Sequence, residues 1–591
     1  MDQALAAYRQ GNWSEAERLC RAILARQPNE FDTLYLLGMI AAQAGRMEEA
    51  AALLARAVGA NPNHAEAAYN RGIVLGNLGR HEAALESYGN AIALKPDYIQ
   101  ALNSRGSSLL TLNRPAAALE SFDQAIALAP DHAEAGNSRG IALFHLKRFA
   151  EALESFERAI ALAPDYADAH YNLGNALRDL DRHEEALASY ENALAVRPDH
   201  AEACNNRGAA LFNLKRHAAA LESCERAIAL RPGYAAAWNN RGVVLRVLER
   251  HEAARESFER AIGFNPEYAD AHRNLGNALR DLHRPEEALK SYDRAVALEP
   301  DHAEAHNNRG VALFELKRLE AALESYERAL RLKSDFGEAH HNRGSALQEL
   351  QQPEQAIAAY RQALEYGAEA ERTGFALASL GAAPLPAAAP VQFVTGLFDR
   401  YADRFDQHLV GTLNYQTPAL LVAQFTRFCP SRDLDILDLG CGTGLLGPLL
   451  KPYARTLTGV DLSSNMLQKA RQRDIYDDLI KAEVSVFLEA RREAYDLAVA
   501  ADVFVYIGDL AAVFAGARDA LRPGGWLSFS IEASDGEPFV LKPARRYAHS
   551  VAYLEKLAGG HGFAVTSIEP GVIRHERGSD VRGYVALMRR A

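Results

Sequence analysis

A chain of 591 residues is too long for one hydrophobic core and divides into two or more domains. The apolar fraction of 48% is that of globular protein, and a formal net charge of −12 argues against nucleic acid or an anionic membrane surface as the main partner. Five scattered cysteines without CxxC or Cys/His spacing point to no disulfide framework and no metal site, and no run of about 18 apolar residues is present to span a bilayer.

The first stretch, "MDQALAAYRQGNWSEAERLC", has no basic segment followed by an apolar core. It is not expected to be a signal peptide, and a cytoplasmic location is expected.

From here to residue 370 the chain repeats. Prolines stand at 28, 62, 96, 130, 164, 198, 232, 266 and 300, a step of 34, and Ser334 takes the next place. Glycine keeps the same step from Gly38 to Gly344, and alanine from Ala16 to Ala356. This period, with small residues in both halves and a closing proline, predicts helix–turn–helix units. The small residues let paired helices approach, and the proline breaks the chain before the next helix. Eleven units are counted, the first lacking most of its first helix. "YADAHYNLGNALRDL" (166–180) returns as "YADAHRNLGNALRDL" (268–282), which reads as duplication of a block of three units. Such units stack into an α-solenoid whose concave face normally binds a partner.

The unit "AEAHNNRGVALFELKRLEAALESYERALRLKSD" (303–335) resembles the tetratricopeptide repeat, and the resemblance covers residues 1–370. One place in most units is asparagine: Asn70, Asn172, Asn206, Asn240, Asn274, Asn308 and Asn342, interrupted by Ser104 and Ser138. An amide donates and accepts at once, as a peptide backbone requires. The row resembles the asparagine ladder of O-linked GlcNAc transferases, which implies an extended protein or peptide partner. Asparagine here also belongs to the general repeat pattern, where it serves helix packing.

Residues 371–394 begin as a capping helix and become an Ala/Pro linker. A second domain is expected over 395–591. Strands are expected at "LDILDLG" (434–440), "TLTGVDL" (456–462), "LIKAEVS" (479–485), "DLAVAAD" (496–502), "WLSFSIE" (526–532) and "YVALMRR" (584–590). Helix-length segments lie between most of them. This alternation predicts an α/β doubly wound sheet with its ligand beyond the carboxyl ends of the strands.

The first expected strand runs into "DILDLGCGTGLLGPLL" (435–450). A phosphate-binding loop needs Lys-Ser/Thr after its last glycine, but Gly447 precedes Pro448 and Leu449. Gly442-Thr443-Gly444-Leu445-Leu446-Gly447 is literally GxGxxG, and Asp461 stands near the place of a ribose-binding acid, so a dinucleotide stays in play. Asp438 weighs against it. A carboxylate at the strand end sits poorly beside a pyrophosphate and well beside an ammonium and a sulfonium. The frame Asp438-x-Gly440-x-Gly442-x-Gly444 therefore fits S-adenosyl-L-methionine, with Asp461 gripping both ribose hydroxyls. Asp461 could instead cap the helix begun by Ser463 and Ser464.

This loop, "GVDLS", "YDLAVAADVFVYIGDL" (495–510) and "LRPGGWLSFSIE" (521–532) together resemble the class I S-adenosylmethionine-dependent methyltransferases, with their Rossmann-like fold. The whole chain is similar to the predicted methyltransferases that carry tetratricopeptide repeats, and "LFDRYADRFDQHL" (397–409) resembles the helix before the fold there. The resemblance implies that Asp438, Gly440 and Gly442 line the methionine end. It places Asp461 on the ribose, Leu462, Ala482 and Glu483 by the adenine, Asp502 at the methyl-transfer face, and Tyr401 over the cofactor. Tyr401 could equally be core. The Asn/Asp-Pro-Pro-Tyr signature is absent, with "DVFVY" in its place, which lowers the prospect of methylation at planar nitrogen. The acceptor is expected to meet residues 533–557, where Arg545, Arg546, Tyr547 and His549 cluster. His549 is a candidate general base beside Asp502; the other reading of the segment is a polar helix start.

Three functions fit. One is a methyltransferase whose repeats recruit a protein. Another is a small-molecule or carrier-bound-metabolite methyltransferase whose repeats serve assembly. A third is a non-catalytic scaffold, which the intact loop and Asp461 oppose.

Overall fold

The computed structural model describes residues 1–402, 405–406, 415–429, 431–576 and 579–591. They fall into two compact units, Met1–Ala278 and Leu279–Ala591. Among the described residues no helix is long and apolar enough to cross a membrane.

The first unit is a run of antiparallel helix pairs, beginning with Asp2–Arg9 and Trp13–Leu24 and continuing through Ala235–Val247 and His251–Phe264. The second opens with further pairs, ending in Gly337–Glu349 and Pro353–Glu365, and a capping helix, Ala370–Ser379. Eleven pairs lie between residues 2 and 365 among the described residues.

Each repeated small residue has a packing reason. A Cβ added to Gly140 would stand 2.5 Å from the ring of Phe156 on the partner helix, and Gly174 meets Tyr190 in the same way at 2.6 Å. Ala152 and Ala186 are fully buried at the facing position. The turn inside each pair closes on a residue with left-handed backbone. In the first unit these are Gly11, Gly45 and Gly79, then Asn113, Lys147, Asp181, Lys215 and Glu249; in the second they include Lys317 and Gln351.

The asparagine row is half-buried and its amides tie one repeat to the previous one. Asn70 donates to Tyr35, Asn172 to Asn137 at 3.0 Å, Asn240 to Asn205 at 2.9 Å and Asn274 to Asn239 at 2.9 Å. Asn206 donates to Asn175 at 2.9 Å and Tyr171 at 3.2 Å, and accepts from Asn205 at 3.1 Å. In the second unit Asn342 donates to Asn307 at 3.0 Å, and Asn308 is half-buried. At least one donor of Asn70, Asn172, Asn206, Asn240, Asn274 and Asn342 is thus spent within the fold.

Nine strands among the described residues form one sheet: β1 (Leu434–Leu439), β2 (Ala454–Asp461), β3 (Asp478–Lys481), β4 (Tyr495–Ala500), β5 (Leu521–Ala533), β6 (Phe539–Leu541), β7 (Tyr547–His549), β8 (Phe563–Glu576) and β9 (Ser579–Arg590). β3-β2-β1-β4-β5 are parallel; β9 runs antiparallel between β5 and β8. β6 and β7 form a hairpin joined to the end of β5. Helices Ser464–Gln472 and Ala511–Ala520 are crossovers, and a core lies between Ala511–Ala520 and the sheet, with Leu437, Leu439, Val460 and Phe529 fully buried.

The sheet differs from the expected pattern in three places. The third ends at Lys481, because Ala482 and Glu483 turn the chain into helix Val484–Glu489. Segment 533–557 is not simply a helix start: it forms the β6–β7 hairpin before helix Val551–Gly560. β8 extends the sheet beyond the expected last strand. Of the segment 397–409, residues 397–401 end helix Val391–Tyr401, and residues 403, 404 and 407–409 lie outside the described residues.

Candidate functional site

The loop after β1 carries three glycines with left-handed backbone: Gly440 (φ +64°), Gly442 (φ +54°) and Gly444 (φ +83°). At Gly440 a Cβ would also stand 2.4 Å from Val503 Cγ2. At Gly442 the nearest atom among the described residues is 3.8 Å away, on Phe405, so the backbone angle demands glycine and no described side chain fills the space above it.

Asp461, at the end of β2, pins this loop. Its Oδ2 accepts from the Gly442 amide at 2.9 Å and its Oδ1 from the Ser463 amide at 2.8 Å. Each oxygen keeps one further lone pair, so together they can accept from two hydroxyls. Helix Ser464–Gln472 has its own cap, the Ser463 hydroxyl, which accepts from the Met466 amide at 3.1 Å, so Asp461 is not consumed as one. Burial raises the Asp461 pKa against the pull of these amides.

Asp438 lies behind the loop, only 1% exposed, and accepts from the Tyr476 hydroxyl at 2.6 Å. Burial pushes it up to about 7, with the neighbouring Asp461 charge adding to the rise. Tyr476 also fills the space beneath Gly444 and Gly447.

A cleft of about 2240 Å³ opens at the carboxyl ends of the strands. Tyr401, Gly440, Gly442, Asp461, Leu462, Ala482 and Glu483 are among the residues that line it. Glu483 accepts from the Ser485 hydroxyl at 2.6 Å, and the Ala482 amide donates to the Asp461 carbonyl at 3.1 Å. The same cleft is lined by Asp502, Tyr506, Glu532, Lys542, Arg546 and Arg574, and by Lys317, Gln348 and Gln351 of the last repeats. Single-ligand pockets occupy roughly 300–1,000 Å³, so two ligands fit side by side.

Asp502 follows β4 with φ +55°, an angle uncommon outside glycine. Its amide donates to Ser530 Oγ at 2.8 Å, that hydroxyl donates to Asp502 Oδ1 at 2.9 Å, and Arg574 Nη1 reaches Oδ2 at 3.2 Å. Burial raises its pKa, and Arg574 counters it. Arg574 also pairs with Glu532, which takes Lys542 at 3.2 Å and Arg546 at 3.9 Å.

His549 does not stand at the cleft. It is fully buried in β7, with Nε2 2.9 Å from the Ile507 carbonyl oxygen and 3.0 Å from that of Gly508, so Nε2 carries the proton and donates. Burial lowers its pKa to about 4. Its position suits bracing the hairpin against residues 507–508 rather than accepting a proton from a ligand. Tyr547 is buried likewise and donates to the Pro386 carbonyl at 2.8 Å. Arg545 turns away from the cleft to the last repeat, donating to Tyr360 at 2.9 Å and Gln348 at 3.1 Å. Sequence reasoning did not single out Tyr476, Glu532, Lys542 or Arg574, whose places follow from strands and turns that carry no motif.

A family model described as methyltransferase domain matches residues 437–527. Models described as tetratricopeptide repeat match 1–65, 48–99, 103–167, 171–235 and 273–335, with two further models over 233–298 and 337–367. Among curated relatives, a ubiquinone biosynthesis O-methyltransferase of Hydrogenovibrio crunogenus is 33% identical over 126 residues, 20% of this chain and 51% of that protein. A malonyl-[acyl-carrier protein] O-methyltransferase of Salmonella typhimurium is 29% identical over 139 residues, 24% of this chain and 53% of that protein. The chain thus spans about half the length of these relatives. Of solved structures, YrrB, a tetratricopeptide-repeat protein titled as having an unusual peptide-binding site, is 26% identical, with a TM-score of 0.28 over 32% of this chain and 96% of its own.

Proposed function

We propose that this chain, a tetratricopeptide-repeat protein carrying a methyltransferase domain, transfers a methyl group from S-adenosyl-L-methionine to an acceptor bound at the far end of the same cleft. The observation that carries this reading is Asp461, held at the cleft beside an open, left-handed glycine loop with accepting capacity to spare. When bound, the cofactor supplies a methyl carbon activated by a sulfonium.

The residues divide the remaining work. Asp461 takes the ribose hydroxyls. Gly440 and Gly442 let the backbone approach, and Leu462, Ala482 and Glu483 form the adenine wall. Tyr401 covers the ligand from helix Val391–Tyr401. Asp438 acts from behind the loop as a carboxyl near its titration midpoint, able to ionise when positive charge arrives. Asp502 faces the acceptor.

The repeats serve a protein or peptide partner in this reading. Support comes from the last two, whose Lys317, Gln348 and Gln351 share the cleft wall. The asparagine row, partly spent between repeats, offers a peptide only its remaining donors and acceptors. A small or carrier-bound acceptor is the second reading, favoured by the relatives' names. Five buried, unpaired cysteines suit a reducing, cytoplasmic setting.

Two measurements test this. Calorimetry on the full chain should show saturable binding of S-adenosylhomocysteine and none of NAD; the reverse rejects the cofactor. Transfer of labelled methyl to a host lysate should then place label in either protein or small molecules, and label in neither rejects catalysis.

A further inference from the structure

We propose that Asp399 and Asp406 are positioning residues that clamp the segment beginning with helix Val391–Tyr401 across the cofactor loop, and that S-adenosyl-L-methionine is exchanged when they let go. This rests on the methyltransferase reading for the identity of the ligand.

The helix is built to face the cleft. Val394, Leu397, Phe398 and Tyr401 recur at the i, i+3, i+4, i+7 spacing of one helical face, and all four line the cavity together with Gly440, Gly442, Asp461 and Leu462. Phe398 packs in one cluster with Leu462 and Tyr506, its ring centroid 5.5 Å from that of Tyr506. A ligand held by Asp461 and the glycine loop therefore shares its cavity with this face.

The two ends of the segment are held differently. Before the helix, backbone meets backbone. The Ala389 amide donates to the Tyr506 carbonyl at 2.9 Å, and the Gly508 and Asp509 amides donate to the Ala387 carbonyl at 2.7 and 2.9 Å. The Tyr547 hydroxyl adds a bond to the Pro386 carbonyl at 2.8 Å. At the far end, side chains do the holding. The Ser463 hydroxyl donates to the Asp399 carboxylate, and Asn465 Nδ2 donates to the Asp399 carbonyl at 3.1 Å. The Thr443 hydroxyl and Arg473 Nη2 both donate to the Asp406 carboxylate, and Arg473 Nε donates to the Thr443 carbonyl at 2.7 Å. The result is a strap hinged at 386–389 and released at 399 and 406.

The points of release coincide with the grip on the ribose acid. Ser463, held by Asp399, gives its amide to Asp461 Oδ1 at 2.8 Å. Gly442, next to the Thr443 held by Asp406, gives its amide to Asp461 Oδ2 at 2.9 Å. Neither Asp399 nor Asp406 is among the residues that line the cleft, so both act on the ligand through others. Their chemistry differs. Among the described residues, the Asp399 carboxylate meets a hydroxyl and a backbone amide, neutral donors that an asparagine oxygen also accepts from. Asp406 meets a guanidinium and depends on its charge.

The test immobilises the full chain and follows S-adenosylhomocysteine by surface plasmon resonance. Asp399→Ala and Asp406→Ala should each raise the association and the dissociation rate together, the latter about tenfold for the loss of a charge-assisted bond. Asp399→Asn should keep most of the slow exchange, whereas Asp406→Asn should exchange as fast as Asp406→Ala. Raising the ionic strength should speed exchange in the wild type and not in Asp406→Asn, because the pair it screens is gone. Asn465 is exposed, and Asn465→Ala should speed exchange about threefold, the loss of one neutral bond. Faster dissociation with association slowed or unchanged marks a loop that has merely lost its order and overturns the strap. Unchanged rates in the two alanine variants, shown folded by circular dichroism, do the same. If neither of those variants folds, Asn465→Ala decides, and unchanged rates there overturn the proposal. A wild-type chain that binds no S-adenosylhomocysteine overturns the methyltransferase reading, and the strap with it.

Discussion

In helix Ala133–His145, the backbone at Gly140 is ordinary helix, and a Cβ there would stand 2.5 Å from the Phe156 ring. In the loop after β1, Gly442 has φ +54° and, among the described residues, nothing closer than 3.8 Å to where its Cβ would lie. The first glycine is needed by its neighbour, the second by its own backbone and by the space it leaves. The repeats are a filled structure, stable by interlocking side chains. The loop is held open, with ionisable groups buried behind it. The difference teaches that glycine spacing alone does not tell packing from ligand approach; what stands opposite the glycine does.

The sharpest way to separate the two regions is pH. Asp438 titrates near 7 in the fold against an ordinary value of 3.8, so its contribution to stability is full below about 4 and lost as pH rises through 7. The loss is roughly 4 kcal/mol from the size of the shift, an upper figure for a site able to relax. Asp438→Asn should reduce this fall for the second unit, leaving the share of Asp461 and Asp502, whose pKa values burial also raises, measured by denaturation at pH 5 and 8, and leave the repeats of the first unit unaffected. A variant whose stability declines as steeply as the wild type over that interval would place the titration elsewhere.

Next comes Asp461→Ala. It should weaken S-adenosylhomocysteine binding by about 1.5–3 kcal/mol, 10- to 100-fold, since two hydrogen bonds to a charged acceptor are lost and the loop loses its pin. Calorimetry reads this directly, and unchanged affinity would remove Asp461 from the site.

Gly140→Ala tests the filled side. An exposed helical glycine gains about 1 kcal/mol on this change. Here overpacking against Phe156 should reverse the sign, with a loss of about 1–3 kcal/mol seen in thermal unfolding and no change in S-adenosylhomocysteine affinity. A stabilised variant would break the comparison.

Smallest in stability is Gly442→Ala, with about 1 kcal/mol from left-handed backbone and no steric clash. Its effect on S-adenosylhomocysteine affinity should exceed its effect on melting. If both fall equally, the loop is structural rather than a cradle.

Much of this was readable from the chain because the signal was periodic or local. The 34-residue step gave the helix pairs, since each unit repeats one packing problem. The glycine loop was readable because backbone angle restricts residue type. The acceptor end was not, because side chains from β5, the hairpin turn and β8 assemble it, and Glu532, Lys542 and Arg574 obey no spacing. His549 misled for a related reason: its sequence neighbours are polar, but β7 points it into the core beneath residues 507–508. The asparagine row was visible as a pattern, yet only the structure shows that one amide donor of most of its members goes to the preceding repeat.

The turns of the first unit carry one more consequence. Gly11, Gly45 and Gly79 close the first three pairs, and Asn113, Lys147, Asp181, Lys215 and Glu249 close the next five in the same left-handed backbone. A side chain in that conformation stores about 1 kcal/mol, less for asparagine and aspartate. Opening one of the later pairs releases this strain, and opening one of the first three releases none. Local opening is therefore graded along the chain, and amide hydrogen exchange should quicken in a step between residues 79 and 113. Glycine placed at Lys147, Lys215 and Glu249 would flatten that step and slow the breathing of the whole stretch.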